Sequence, residues 1–386
     1  MSPETPYSVP PMLPAKEVGA DRSDRTVHDL MSAWRIKGLP LALSARTTVR
    51  ILCLLAILSA VLILSLFLLI GARKTYFDFP LHPTVEEGNG GITNNEGDRP
   101  YADGASGVAL LPWADRITVI APDRINSEHA ALADLATGEI IASRLADDVI
   151  YPASMTKVMT LIVVVENLPH EDSLSDKITI SQAVYNEMKA AGSSGIGLEP
   201  GETLTVESLL YALMLRSDGI AACELARYVA GSVEDFVELM NQKAEKMGLT
   251  STHFKNPTGL HHPDHVTTAR EIASIMTYAM SMKLCRKVLL TQRYIAPCVG
   301  ADGKTFPYTL YHNLMVTQFE TIKDNQPTTV KIAAGKTGFT DESLYCLVTY
   351  AETTNGHGYV CVTAKGDSYA DCIRDYIYIY NTYVSP

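Results

Sequence analysis

Apolar and polar positions alternate in some stretches beyond Ile117 and form continuous runs in others, and the two patterns predict different elements. The stretch AALADLATGEIIAS, which begins at Ala130, predicts two short strands joined by a turn at Thr137-Gly138. The uncharged run Val158–Val165 follows and predicts a buried helix. The chain therefore begins its folded part with strands and then turns helical.

A mostly helical stretch is predicted from about Ser181 to Cys285. Thr205 is placed to cap a helix that continues as VESLLYALML. A second helix, IAACELARYVAG, follows the tripeptide SDG, and a third, DFVELMNQKAEKMGL, is expected to end at the C-cap glycine Gly248. These segments predict a helical subdomain in the middle of the chain.

The C-terminal part of the chain returns to a strand pattern. The stretches TVKIAAGKTGFT, SLYCLVTYAETT and HGYVCVTAKG predict three strands, and Asn355-Gly356 is a strong hairpin signal between the last two. SYADCIRDYIYIYNTYV predicts a final amphipathic helix, whose tyrosines we expect to pack rather than to bind a ligand. Strands at both ends and helices between them predict an α+β domain over residues 117–386, with one antiparallel sheet completed by both chain ends.

One N-terminal segment is predicted to lie in a membrane. Residues 51–72 carry no charged side chain over 22 positions, which is long enough for one transmembrane helix. Four Lys or Arg residues lie shortly before this segment and two directly after it, which favours a cytoplasmic N-terminus. We therefore expect a disordered cytoplasmic tail over residues 1–50, a flexible spacer over residues 73–116, and a single-pass protein of the cytoplasmic membrane with its folded domain outside.

The net charge restricts the possible binding partners, and the cysteine spacing bears on whether disulfides form. The formal net charge of −11 argues against nucleic acid as a partner and against electrostatic adhesion to anionic lipid. Six of the seven cysteines follow the apolar segment, but they are widely spaced and form no CxxC pair. We expect most of them to be free thiols, because a domain of this size does not need disulfides.

The stretch PASMTKVMT places Ser154 three residues before Lys157, where a long apolar helix begins. Residues three apart at a helix start share one face, so the lysine amine can reach the serine hydroxyl. Serine is a weak nucleophile unless a base lies beside it, and burial lowers the pKa of a lysine so that it can act as that base. The helix N-terminus also offers backbone N–H groups to an oxyanion.

Two further motifs follow in order, Ser217-Asp218-Gly219 between two helices and Lys336-Thr337-Gly338 at the predicted start of a strand. Together with SxxK they form the signature of active-site serine penicillin-recognising enzymes. The longer stretches DLATGEIIA, YPASMTKVMT, GLEPGETLTVESLLYALMLRS, THFKNPTGLHHPDHVTTARE and GKTGFTDESLYCLV resemble the D-alanyl-D-alanine carboxypeptidases, the low-molecular-mass penicillin-binding proteins. The resemblance implies a β-lactamase/transpeptidase-like domain.

The resemblance also implies roles for residues at matching positions. Ser154 would be the acylated nucleophile, Lys157 its base and Ser217 a proton relay, with Lys336 adjusting the charge around them. Lys336 and Thr337 would hold the terminal carboxylate of the substrate. The N–H groups of Ser154 and Phe339 would form the oxyanion hole.

The strand edge at Lys336-Thr337-Gly338-Phe339 would pair with an extended peptide. Gly219 departs from the family pattern, which has asparagine at this position. That asparagine amide contacts the substrate backbone in the family, and its absence would cost about 1–3 kcal/mol.

The resemblance implies removal of the terminal D-Ala from peptidoglycan stem peptides, with β-lactams as acylating inhibitors and with no cofactor or metal. Three alternatives stay open: a β-lactamase, a binder of wall peptides with little turnover, and a transpeptidase. The stretch His261-His262-Pro263-Asp264-His265 is rich in metal-ligand types, but no HExxH pair accompanies it. The following Thr267-Thr268-Ala269-Arg270-Glu271 predicts a helix cap and first turn, so we expect the histidines to shape a loop instead. Many family members carry a C-terminal amphipathic anchor, and here the N-terminal helix is expected to do the anchoring.

Overall fold

The computed structural model describes residues 110–314 and 329–384. The predicted tail, the apolar segment 51–72 and nearly all of the predicted spacer lie outside these residues. The strands are β1 (Trp113–Val119), β2 (His129–Asp134), β3 (Glu139–Arg144), β4 (Val149–Ile150), β5 (Lys177–Thr179), β6 (Thr203–Thr205), β7 (Thr267–Thr268), β8 (Arg293–Val299), β9 (Thr305–Tyr311), β10 (Lys331–Thr340), β11 (Leu344–Glu352) and β12 (Gly358–Gly366). The α-helices are α1 (Thr156–Glu166), α2 (Gln182–Ala190), α3 (Val206–Leu215), α4 (Gly219–Ala230), α5 (Val233–Lys246), α6 (Ala269–Ser281), α7 (Lys283–Leu290) and α8 (Tyr369–Tyr383). None of these helices is long and apolar enough to cross a membrane.

The main sheet has six strands in the order β1-β3-β2-β12-β11-β10. Strands from the start of the domain therefore lie beside strands from its end, as the sequence predicted. The pairs from β3 to β10 are antiparallel, whereas β1 runs parallel to β3, so the sheet is not antiparallel throughout. Within the described residues, β10 lies at the edge of the sheet, with β11 as its neighbour.

Side chains alternate between the two faces of this sheet, as the two-residue period of a strand requires. Along β2, Ala131 and Ala133 belong to the core beneath α1 and α6, whereas Ala130 and Leu132 belong to the core beneath α8. The C-terminal helix buries tyrosines against the sheet, and Tyr380 is fully buried there. The expectation that the tyrosine-rich helix serves packing is confirmed for this face.

A second sheet was not foreseen from the sequence. It has four strands in the order β5-β6-β8-β9 and lies next to helix α3. β5 and β6 have three residues each, which is too short for an alternation of apolar and polar residues to be recognised. β8 and β9 each contain a proline, and the two prolines face each other in the ladder as Pro297 and Pro307. Because proline is rare in strands, this hairpin gave a weak signal.

Several local predictions are confirmed. Thr205 caps α3 by accepting a hydrogen bond from the Ser208 N–H, and Gly248 follows α5 with a φ of 71°. The turn between β11 and β12 contains Gly356 at a φ of 85°, but it is longer than the two-residue turn that its sequence suggested. The six cysteines in the described part of the chain are free and buried: Cys223, Cys285, Cys298, Cys346, Cys361 and Cys372.

Candidate active site

Ser154 and Lys157 lie where the chain enters the core. Ser154 is in a short 3₁₀ turn, Ala153–Met155, that leads directly into α1. Lys157 Nζ lies 3.2 Å from Ser154 Oγ and donates a second hydrogen bond, of 2.5 Å, to the carbonyl of Thr258. Ala153 adopts a φ of 45°, an uncommon backbone conformation for alanine, directly before the serine. The sharp turn sets the serine hydroxyl beside the amine.

The Lys157 side chain is 2% exposed, and this burial lowers the pKa of its amine to about 8. The negative charge of Asp218 acts in the opposite direction and limits the shift. At pH 7 about a tenth of the Lys157 amines would therefore be neutral, whereas an unperturbed lysine is almost wholly protonated. A neutral amine 3.2 Å from a serine hydroxyl can accept its proton.

Lys336 lies in the second half of β10 rather than at the start of the strand, which corrects the sequence prediction. Its amine is buried and donates a 2.6 Å hydrogen bond to the carbonyl of Thr337. Burial lowers the pKa of Lys336 well below its usual value, and the nearby charge of Lys157 lowers it further. The buried amines of Lys157 and Lys336 are thus close enough for the charge of one to lower the pKa of the other.

β10 passes directly over the turn that carries the serine. A Cβ atom at Gly338 would lie 3.1 Å from the Ser154 nitrogen, from the Pro152 carbonyl oxygen and from the Ala153 Cβ. Such distances are tighter than ordinary van der Waals contact, so any side chain at this position would move the strand or the turn by a few tenths of an ångström. Phe339 follows Gly338 in the strand and lines the same cleft as Ser154.

Ser217 faces this turn from the helical subdomain. Its backbone adopts a φ of 58°, and its hydroxyl is buried without a hydrogen-bond partner in the described residues. A buried hydroxyl without a partner is costly unless water or a ligand satisfies it. Asp218, the next residue, is fully buried and caps α4 by accepting from the Ala221 N–H at 2.9 Å. Burial raises the pKa of Asp218, while its backbone hydrogen bonds and Lys157 oppose that rise.

These residues surround a cleft of about 390 Å³. Of the predicted site residues, Ser154, Ser217, Thr337, Gly338 and Phe339 line it. Neither Lys157, Lys336 nor Gly219 is among the lining residues, and the structure buries all three. Four further lining residues were not singled out from the sequence, namely Ser194, Asn313, Tyr345 and Tyr369.

Gly219 shows what occupies the place of the family's asparagine. A Cβ atom at Gly219 would lie 1.9 Å from the Ser193 Oγ and 2.9 Å from the Ser193 Cβ. The space beside Gly219 is therefore filled by the loop that follows α2. An asparagine could enter this position only if Ser193 moved.

The loop around Thr258, which sequence reasoning did not single out, holds the lysine in place. Asn256 Oδ1 accepts hydrogen bonds from the N–H groups of Thr258 and Gly259, at 3.1 and 2.8 Å. Gly259 has a φ of 82°, and a Cβ atom there would lie 1.9 Å from the Ala153 carbonyl oxygen. The sequence signal for this loop was the turn-forming stretch Asn-Pro-Thr-Gly, whose glycine allows both the positive φ and the close approach to Ala153.

His265 also supports this arrangement through hydrogen bonds at both ring nitrogens. Its Nδ1 accepts from the Lys255 N–H at 3.2 Å, so its Nε2 carries the proton and donates to Thr156 Oγ1 at 2.8 Å. Burial lowers the pKa of His265 to about 3, which keeps the ring neutral. Within residues 110–314 and 329–384, no three His, Cys, Asp or Glu side chains are grouped so as to hold a metal ion. Thr268 caps α6 by accepting from the Glu271 N–H, as the sequence predicted.

A family model described as D-alanyl-D-alanine carboxypeptidase, peptidase family S11, matches residues 116–365. The chain belongs to this family. It is 32% identical over 260 residues to the D-alanyl-D-alanine carboxypeptidase DacF of Bacillus subtilis, an alignment that covers 64% of this chain and 61% of DacF. It is 38% identical over 178 residues to DacC of Escherichia coli, with 44% of each chain covered. The chain thus spans less than two thirds of the length of these two curated relatives.

The fold is similar to that of the Streptomyces K15 DD-transpeptidase. The crystal structure of that enzyme superposes with a TM-score of 0.58 at 28% sequence identity, and the match covers 66% of this chain and 97% of the other. The described domain therefore has the mixed α+β, transpeptidase-like fold that the sequence resemblance implied.

Proposed function

We propose that this protein is a serine-type D-Ala-D-Ala carboxypeptidase that removes the terminal D-Ala from peptidoglycan stem peptides. The observation that carries the proposal is the 3.2 Å contact between the Lys157 amine and the Ser154 hydroxyl, in a cleft walled on its other side by Thr337 and Phe339. Membership of the carboxypeptidase family supports the same activity.

The geometry supports the following acylation step. Neutral Lys157 accepts the Ser154 hydroxyl proton while Ser154 Oγ attacks the carbonyl carbon of the penultimate D-Ala. The N–H groups of Ser154 and Phe339 stabilise the oxyanion. When the peptide bond breaks, the departing D-Ala amine takes up a proton, which Ser217 relays from Lys157. A water molecule then hydrolyses the ester and restores the Ser154 hydroxyl.

The strand side of the cleft suits the C-terminal carboxylate of such a peptide. The Thr337 hydroxyl provides a donor at the cleft wall, and the buried Lys336 amine provides positive charge behind it when protonated. β10 is an edge strand in the described sheet, so an extended peptide can add to it by backbone hydrogen bonding. Hydrogen bonds along the backbone then align the scissile bond with Ser154.

The test uses the full-length protein in detergent and a peptide ending in Lys-D-Ala-D-Ala. Wild-type protein should release D-Ala, and Ser154→Ala should release none while keeping its melting temperature. A folded wild-type protein that reacts with penicillin but releases no D-Ala would contradict the carboxypeptidase proposal. That result would instead favour a binder with little turnover.

Transpeptidation is the second candidate, because the structurally similar Streptomyces K15 enzyme is named a DD-transpeptidase. The acyl-enzyme on Ser154 would then be attacked by an amine instead of water. Adding glycine or a glycyl peptide as acceptor to the same assay separates the two reactions. A hydrolase would still give mainly the free acid, whereas a transpeptidase would give mainly the amide product.

We further propose that residues 51–72 anchor the protein as a single-pass helix, with the spacer 73–116 holding the domain outside the cytoplasmic membrane. The support is the uncharged stretch of 22 residues and the excess of positive charge before it. Protease added to intact spheroplasts should degrade the domain and leave an N-terminal tag protected. Full protection of the domain would contradict this orientation.

A further inference from the structure

The loop after α2 is attached to the Ser217–Gly219 turn by backbone hydrogen bonds. The Gly219 N–H donates to the Ser194 carbonyl at 3.0 Å, and the Ile196 N–H donates to Asp218 Oδ2 at 2.7 Å. Because Asp218 is fully buried, the second bond lies in a setting where hydrogen bonds to a carboxylate are strong. The backbone bond to Ser194 and the bond to the Asp218 carboxylate together fix the position of the loop relative to the turn.

Two glycines make this contact possible. A Cβ atom at Gly195 would lie 2.7 Å from Asp218 Oδ2, and a Cβ atom at Gly219 would lie 1.9 Å from Ser193 Oγ. The loop therefore lies directly against the turn, and each partner presents a glycine where the other is closest. Gly219 is the position at which the family pattern has an asparagine. The loop can pack against this position because the asparagine side chain is missing.

The contact brings Ser194 to the cleft. Ser194 lines the cleft together with Ser154 and Ser217, and its side chain is exposed to solvent there. Its carbonyl is engaged by the Gly219 N–H, so the residue cannot leave the cleft wall without breaking that bond. A serine hydroxyl both donates and accepts, which is also what an asparagine amide offers to a peptide group.

We propose that Ser194 is a substrate-binding residue whose hydroxyl binds the peptide amide next to the scissile bond, in place of the asparagine that Gly219 lacks. The proposal rests on the proposed acylation of Ser154. It assigns the recognition to the loop after α2 instead of to the Ser217-Asp218-Gly219 motif itself. The loss of binding that the glycine would otherwise cause is offset by a hydroxyl 25 positions earlier in the chain.

The test compares two β-lactams on full-length protein. Benzylpenicillin carries an acylamino group that mimics the peptide amide, whereas 6-aminopenicillanic acid lacks it. Ser194→Ala should slow acylation by benzylpenicillin about tenfold, the loss of one hydrogen bond, and slow acylation by 6-aminopenicillanic acid less than twofold. Ser175→Ala, which removes an exposed hydroxyl that bonds within its own turn and does not line the cleft, is the control and should leave both rates within twofold.

Equal slowing of both drugs by Ser194→Ala would mean that the residue only supports the structure, and no slowing would mean that it does not bind substrate. Either result would overturn the proposal. These readouts do not need D-Ala release, so a failure of the carboxypeptidase proposal alone remains distinguishable. Ser194→Thr, which keeps a hydroxyl, should retain discrimination between the two drugs.

A second pair of variants tests the exchange between Gly219 and the loop. Gly219→Asn alone should lower the acylation rate and the melting temperature, because the new side chain displaces Ser193. Adding Ser193→Gly to Gly219→Asn removes the obstructing atoms and should recover part of the rate. If Gly219→Asn alone accelerated acylation above wild type, the loop would not be standing in for the amide and the inference would be wrong.

Discussion

On the strand side of the cleft, Thr337, Gly338 and Phe339 follow one another along β10, whereas on the helical side Ser217 and Ser194 come from two separate loops. β10 is tied to β11 from Lys331 to Thr340 by a ladder with one register shift. The helical side depends instead on an unusual Ser217 backbone and on a buried carboxylate, Asp218, that holds the neighbouring loop. One wall is a regular element and the other is assembled from loops.

This difference explains which wall can vary. Moving β10 disturbs its ladder with β11, and at Gly338 it also disturbs the turn that carries Ser154, so a side chain at position 338 is disfavoured by contact. The helical wall can exchange one polar group for another, provided that the loop and the turn change together. Gly219 and the loop after α2 are such a pair, because Ser193 fills the space beside Gly219 while Ser194 of the same loop lines the cleft.

The largest expected effect comes from the base beneath both walls. Lys157→Gln removes the proposed proton acceptor of Ser154, and we expect the rate of penicillin acylation to fall about 10²–10⁴-fold. The measurement is stopped-flow or gel-based labelling with a fluorescent penicillin. Lys304→Gln, at a lysine whose side chain is 83% exposed on the β8–β9 turn, is the control and should be unchanged. A fall of less than tenfold in Lys157→Gln would remove this lysine from the acylation step.

Gly338→Ala tests the strand wall directly. The added methyl would lie 3.1 Å from the Ser154 nitrogen and would push β10 and the serine turn apart. A small displacement of a reacting group is expected to slow acylation about a hundredfold. Wild-type acylation rates in a variant with a normal melting temperature would show that the close approach of β10 is not needed.

The pH dependence of acylation reports on Lys157 in the intact site. Because the pKa of Lys157 is lowered to about 8, its neutral fraction rises from about 1% at pH 6 to about half at pH 8. The acylation rate should therefore climb roughly 50-fold between these pH values and level off above them. A rate that is flat from pH 6 to pH 9 would contradict the role of a neutral lysine base.

The smallest effect on activity is expected at His265, which lies behind the nucleophile turn and touches neither wall. His265→Phe removes the hydrogen bond to Thr156 and should lower the melting temperature by about 2–8 °C while changing acylation less than fivefold. The pKa of His265 is lowered to about 3, so the unfolded chain binds a proton that the folded chain does not. Wild-type stability should fall as pH drops below about 6.5, and the variant should lose this part of the dependence.

Much of the domain was predictable because its signals are local. The Ser154–Lys157 spacing, the buried helix α1, the caps at Thr205 and Thr268 and the last three strands each depend on a few neighbouring residues. The second sheet was missed because two of its strands are short and the other two contain prolines. Position within a strand was also missed, since nothing local separates the start of β10 from its centre at Lys336.

The parts of the site that the sequence did not reveal are long-range contacts. Ser194 is held at the cleft by the hydrogen bond from the Gly219 N–H to its own carbonyl and by the bond of the neighbouring Ile196 N–H to Asp218. The carbonyl of Thr258 reaches Lys157 from a hundred positions away. The sequence showed that Gly219 departs from the asparagine of the family pattern, but it did not show that Ser193 fills the space beside it. Such contacts depend on how loops pack after the helices are in place, which a linear motif does not encode.

The central claim is that Ser154 is the nucleophile, set beside Lys157 and beneath β10. The most direct measurement is mass spectrometry of the full-length protein after exposure to benzylpenicillin, followed by peptide mapping of the adduct. The account predicts one penicilloyl group per chain, located on the peptide that contains Ser154, and no adduct in Ser154→Ala. An adduct on another residue, or no adduct on a folded wild-type protein, would contradict it.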